Sequence, residues 1–263
     1  MIYKNRKASN NIKKISIVTN SDIAYNKLLY TLDEMLFISV LKINSKGILN
    51  ELGVRRTVKK ADLCFFIIDF RDEDYTKFID KSMKISNDNH LTCVYLGINR
   101  QEIKDYSVIK QIHKKINTLI FTDTESIIDT INCICDLNRN KEGTYVLDEF
   151  REYINDKSVG YTSVGEGRGK KRWQKALIDA INDFPSREHF SVGKNIMLTI
   201  DISKEDAQKD ILFENLNDLV ELLRIVANKH AKISFTTLTN NEMENMVGIR
   251  IFANGYNIEL KLS

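Results

Sequence analysis

The apolar positions fall into short blocks separated by longer polar stretches. Residues 15–19, 37–43, 63–70, 91–98 and 118–122 are nearly continuous apolar runs. Runs of this length without alternation suit strands buried on both faces, as in a parallel sheet covered by helices on either side. The intervening polar segments permit helices, and residues 22–32, 72–83 and 124–137 are predicted as such, the second opening with acids that suit a helix N-terminus. The first half thus predicts a doubly wound, mostly parallel α/β sheet.

After residue 140 the order changes. A helix over 148–156 leads to an extended piece, 159–164, and a turn-rich stretch, 165–169. Trp173, Ala176, Leu177, Ala180 and Ile181 then recur at helical spacing, with Lys170, Lys171, Gln174, Lys175 and Asp179 elsewhere, so Trp173 is expected in the core. Strands are predicted at 195–202, 232–238 and 246–253, a helix at 213–228, and a prolongation of the sheet at 257–262. This is a smaller α+β unit. The expected division is 1–140, Rossmann-like and including the central helix, and 141–263.

Composition adds exclusions. With 43% apolar and 29% charged residues the chain is ordinary for a folded protein, and no apolar run approaches the roughly 20 residues that span a bilayer. The start, 1–14, lacks the apolar centre of a secretory signal, so a cytoplasmic location is expected. Cys64, Cys93, Cys133 and Cys135 lack metal-site spacing and read as buried free thiols; no metal is expected. The basic clusters Lys4, Arg6, Lys7, Lys13, Lys14 and Arg168, Lys170, Lys171, Arg172, Lys175 read as solvated surface rather than as a nucleic-acid face. His90, His113, His189 and His230 are scattered and form no acid–base pair in sequence.

From residue 143 the wording resembles the C-terminal half of FtsZ, of the tubulin-like proteins. Gly143-Thr-Tyr-Val-Leu-Asp148-Glu-Phe-Arg151 stands where that family reads G-L-I-N-L-D-F-A-D. Val164 to Trp173 matches its G-x-G-E-x-x-G-x-x-R-A segment, and Ile249-Arg-Ile-Phe-Ala253-Asn-Gly255 echoes V-T-V-I-A-T-G. The resemblance implies a tubulin/FtsZ-like fold and a cytoskeletal or cell-division role. It covers 143–255 in one register and is weaker before that.

The family holds GTP phosphates with two glycine loops, since glycine lets backbone N–H groups approach an anion closely. Here the first place reads Thr19, Asn20, Ser21, Asp22, and the second, G-G-G-T-G-T-G in the family, reads Asp69-Phe-Arg71-Asp72-Glu73-Asp74. Thr19, Asn20 and Ser21 can cap the next helix. Of the two acids in the family's catalytic loop, Asp148 remains and the second is Arg151; the base-reading acid is missing near Thr124. These departures imply a pseudo-GTPase with no cofactor, which is not an enzyme and which assembles with itself or with an FtsZ-family partner. In that assembly Arg151 of one copy would face Asp72, Glu73 and Asp74 of the next. Two other readings stay open: a diverged nucleotide-binding GTPase of the family, and a module binding nucleic acid or an anionic surface.

Overall fold

The structure is a computed structural model, and it describes residues 14–32, 38–43, 54, 57–89, 92–103, 106–116, 118–137, 153–154, 158–184, 187–207, 211–240 and 243–256. Strands β1 (Ile15–Thr19), β2 (Ile38–Lys42), β3 (Leu63–Asp69), β4 (Thr92–Ile98) and β5 (Leu119–Phe121) are all parallel, in the order β2-β1-β3-β4-β5. The run Leu63-Cys-Phe-Phe-Ile-Ile-Asp69 is buried at every position because β3 lies between two strands and under helices on both faces. Helix α1 (Asp22–Leu32) packs Ala24 and Leu28 on one face, while α2 (Tyr75–Asn89) packs Phe78, Ile79 and Ile85 on the other. The chain therefore changes side between β1 and β3. In open α/β sheets the crevice at such a switch point is the usual ligand site.

Helices α3 (Tyr106–Lys115) and α4 (Ile127–Leu137) follow β4 and β5. Strand β6 (Val159–Arg168) pairs parallel with β5 and runs on beyond its end. Helices α5 (Arg172–Asn182) and α6 (Arg187–Val192) come next, then β7 (Asn195–Ile202), α7 (Lys204–Ala207), α8 (Ile211–Val226), β8 (Lys232–Thr239) and β9 (Met246–Tyr256). The sheet continues β6-β9-β7-β8, with β9 antiparallel to both neighbours. One nine-stranded sheet thus joins the segments before and after residue 140, through the β5–β6 pair.

Two sequence expectations change here. Residues 165–168 are not a turn: β6 extends to Arg168 with Gly165 and Gly167 serving packing, and only Gly169, at φ 69°, opens the turn into α5. A Cβ on Gly165 would stand 2.2 Å from the Ala176 carbonyl oxygen, and one on Gly167 1.8 Å from that of Arg172, so α5 lies directly on the strand. The acids Asp72 to Asp74 precede α2 rather than forming its first turn, because the chain closes a turn there with Tyr75 N–H bonded to the Asp72 carbonyl. Helices α6 and α7 carried too little periodicity to be foreseen. Trp173 is 3% exposed in the core, as its spacing predicts. Cys64, Cys133 and Cys135 are buried free thiols, and Cys93 is half-buried. The predicted helix over 148–156 and the stretch 257–262 lie outside the described residues, apart from Tyr153 and Ile154.

Candidate functional site at the carboxyl ends of the parallel strands

The crevice between β1 and β3 is knit by side chains around one carboxylate. Asp69, 4% exposed, accepts hydrogen bonds from Ser21 Oγ (2.8 Å), Asn99 Nδ2 (2.8 Å), the Arg71 N–H (3.0 Å), Arg71 Nε (3.1 Å) and Arg71 Nη2 (2.8 Å). Burial pushes its carboxyl up, but the bonds from Arg71, Ser21 and Asn99 outweigh it and hold the group below its ordinary value. Asn20 spans the same gap: its Oδ1 accepts from the Asp69 N–H (2.8 Å), and its Nδ2 donates to Asp72 Oδ2 (3.0 Å).

Each element end supplies its part for a local reason. Ser21 Oγ also accepts from the Ala24 N–H (3.3 Å), capping α1, and Thr19 Oγ1 accepts from the Ser21 N–H (3.0 Å). Asp72 Oδ1 accepts from the Asp74 N–H (3.0 Å), and Asp74 pairs with Lys77 at 2.6 Å. Asn99 sits in the left-handed region at φ 58°, which asparagine tolerates, and this aims its amide at Asp69. Asp22 faces outward and pairs with Lys42.

Sequence reasoning placed Thr19, Asn20, Ser21, Asp22, Asp72, Glu73 and Asp74 at one site; the structure sets the ends of β1 and β3 side by side, with Asp22 turned outward to Lys42. Asp72 meets Asn20, Asp74 meets Lys77, and Glu73 is exposed. Asp148 and Arg151 lie outside the described residues. The central roles of Asp69 and Asn99 were missed. The available signal was topological: a 2-1-3-4-5 order brings the residue after β4 beside the end of β3.

Next to this crevice, where β6 overshoots β5, opens a cleft of about 710 Å³ lined by Arg100, Phe121, Thr122, Asp123, Asp129, Thr130, Tyr161, Thr162 and Ser163, among others. The Arg100 guanidinium stands 5.7 Å from the Phe121 ring centre and 5.9 Å from that of Tyr161, and donates to the Tyr161 hydroxyl at 3.1 Å. Thr122, Thr130 and Thr162 form a chain of hydroxyls, each link 2.8 Å. Asp123 caps the turn into α4 by accepting from the Ser126 N–H (2.6 Å), and Asp129 lies in the first turn of that helix. Acids therefore flank Thr124 at the start of α4. The cleft can stack a flat group and hydrogen-bond its edge. Among the described residues no three His, Cys, Asp or Glu side chains group to hold a metal ion, and no helix is long and apolar enough to cross a membrane.

The family that the sequence resembles would imply a guanine nucleotide. At the ends of β1 and β3 the residues do not fit a polyphosphate in the family's way, since a buried carboxylate and not a cradle of N–H groups holds the centre.

No family model and no curated protein matches this sequence. Solved structures do. An FtsZ of M. jannaschii (W319Y mutant) matches with TM-score 0.72 at 12% identity, over 96% of this chain and 94% of that one. CetZ from Methanosaeta thermophila matches with TM-score 0.60 at 11% identity, over 92% and 87%. TubZ of Bacillus thuringiensis serovar israelensis, solved as GDP-form protofilaments, matches with TM-score 0.59 at 12% identity, over 94% and 90%.

These neighbours overturn the expectation that the chain is not an enzyme. Its fold is shared, over nearly the full length of both chains, with a protein solved in a GDP form, so missing glycines alone are no ground for excluding GTP chemistry. The chain has the tubulin/FtsZ fold.

Proposed function

We propose that this protein is a cytoskeletal subunit that assembles with copies of itself through the face carrying the carboxyl ends of β1, β3, β4 and β5. The carrying observation is the fold match to proteins solved as assemblies: an empty FtsZ dimer, over 95% of this chain, and TubZ protofilaments, over 94%. The Asp69 network supports this reading, because it braces three strand ends into one rigid surface. Glu73 stands exposed on that surface, and Arg151 is the residue proposed to meet it from the next copy. Cell division is the process the sequence resemblance favours. The test is electron microscopy and sedimentation of the purified chain, with and without GTP or GDP. Filaments or elongated oligomers support the reading, and a globular monomer under every condition rejects it.

A second reading is favoured by the cleft beside the network. A nucleotide bound with its base among Arg100, Thr122, Asp123 and Asp129 would use a geometry other than glycine loops, as expected of a diverged member of the family. Calorimetric titration with GTP and GDP, repeated on Arg100→Ala, checks it. Micromolar binding weakened by the substitution supports it, and no heat from either nucleotide rejects it.

A further inference from the structure

We propose that strand β8 is a lateral interface, on which a second copy of this chain adds its own β8 to make one sheet across two subunits. Strand β8 ends the sheet: it pairs with β7 on one side, and among the described residues no strand pairs with the other. The Lys232 N–H bonds to the Lys194 carbonyl and the Asn240 N–H to the Ile202 carbonyl, each at 2.8 Å, so even-numbered residues face β7. Bond direction alternates along a strand, so the N–H and C=O groups of Ile233, Phe235, Thr237 and Thr239 point to the open edge.

Edges are ordinarily guarded by charge, proline or a bulge. Residues 233–239 contain no charged residue and no proline, and their register with β7 is unbroken. At the middle of this edge Phe235 is 46% exposed, on the same face as Ile233, which packs on the core.

The occupant follows from register. A twofold axis perpendicular to the sheet and centred on Phe235 makes the two edges antiparallel and keeps each face on its own side. It sets Phe235 opposite Phe235 of the second copy, and Ile233 opposite Thr237. All these residues direct their backbone groups outward, so both N–H to C=O bonds of each pair can form. The two exposed rings become a cross-strand aromatic pair. Lys232 meets Leu238, and no like charges oppose one another. This contact is lateral and does not rest on the end-to-end assembly proposed above.

Sedimentation velocity without nucleotide tests it on the wild type, on Phe235→Lys, which sets two cations face to face, and on Thr237→Pro, which removes one outward N–H and no inward one. Phe235→Cys, treated with a short bismaleimide, reports the register, with the wild type as control for the native cysteines. The expected result is a wild-type dimer whose dissociation constant rises at least about tenfold in both edge variants at unchanged melting temperature, and a Phe235→Cys chain that links to a second copy. A wild type monomeric at about 100 µM, association that ignores both edge variants, or no link through Phe235→Cys would overturn the proposal. Should Phe235→Lys fail to fold, Thr237→Pro and the cross-link still decide. Single-width filaments unchanged by Phe235→Lys would keep end-to-end assembly and reject the edge pairing.

Discussion

Ser21 Oγ donates to Asp69 Oδ2 at 2.8 Å, and this bond joins residues 48 apart in sequence at the point where the chain changes sides of the sheet. The same hydroxyl caps α1, so one side chain fixes both the start of a helix and the end of the neighbouring strand.

Removing the Asp69 carboxylate strands Ser21 Oγ and Asn99 Nδ2, which lose a charged acceptor. Arg71 is 41% exposed and falls back on water, so its pair with Asp69 adds little once screening is counted. Asp69→Ala is expected to cost about 2–3 kcal/mol, read as a lower urea midpoint at unchanged slope. Asp72→Ala, losing the bonds from Asn20 Nδ2 and from the part-exposed Asp74 N–H, should cost about 1–2 kcal/mol.

The same group makes stability depend on pH in a stated direction. Its folded value is depressed, so the unfolded chain takes up a proton first as pH falls. The contribution is complete above the ordinary carboxyl value of about 3.9 and is lost as pH falls through the lower folded value. Denaturant melts from about pH 6 down to pH 2.5 should show the gap between wild type and Asp69→Asn closing only at the acid end. A gap constant over that range would show that Asp69 is not held ionised.

Helix α5 can lie on β6 only because residues 165 and 167 lack side chains. In Gly165→Ala the added Cβ would meet the Ala176 carbonyl oxygen and the Ala180 nitrogen, each at 2.2 Å. Backbone on both sides leaves no flexible tip to move, so the helix must shift. The expected cost is about 1–3 kcal/mol or more. Trp173→Ala, on the same helix, should cost about 3–5 kcal/mol. Thermal melts of both variants check these figures.

How much of this the sequence showed depends on the range over which each signal acts. The run from Leu63 to Asp69 declared a central strand because burial on both faces leaves no polar alternation to misread. The helical stripe through Trp173, Ala176 and Ala180 was equally local. The segment Gly165-Glu-Gly-Arg-Gly169 misled because glycines signal turns by their backbone freedom, whereas Gly165 and Gly167 lack a Cβ in favour of the helix above. At the site, Asp69 read only as one of the residues standing where the family has a glycine loop. Its hydrogen bonds from Ser21, Arg71 and Asn99 make it the centre of the network, and two of those partners come from other strand ends that no local pattern connects.

The exposed acid on the proposed assembly face gives the last prediction. Of the three acids after β3, Asp72 is engaged by Asn20 and Asp74 by Lys77, which leaves Glu73 as the exposed carboxylate to present to another subunit. An arginine fork is the fitting partner for a carboxylate, and Arg151 is the residue proposed above to meet it from the next copy. Arg151→Glu should therefore weaken end-to-end association by about 1.5–3 kcal/mol, roughly ten- to a hundredfold, and wild-type association should weaken as salt rises. Because Glu73 is exposed and outside the Asp69 network, Glu73→Arg should leave the melting temperature unchanged, so a loss of assembly cannot be blamed on folding. The double variant, Arg151→Glu with Glu73→Arg, restores the attraction with its charges exchanged. Sedimentation of the four proteins at low salt decides: recovery in the double variant supports the contact, and a double variant as weak as either single one rejects it.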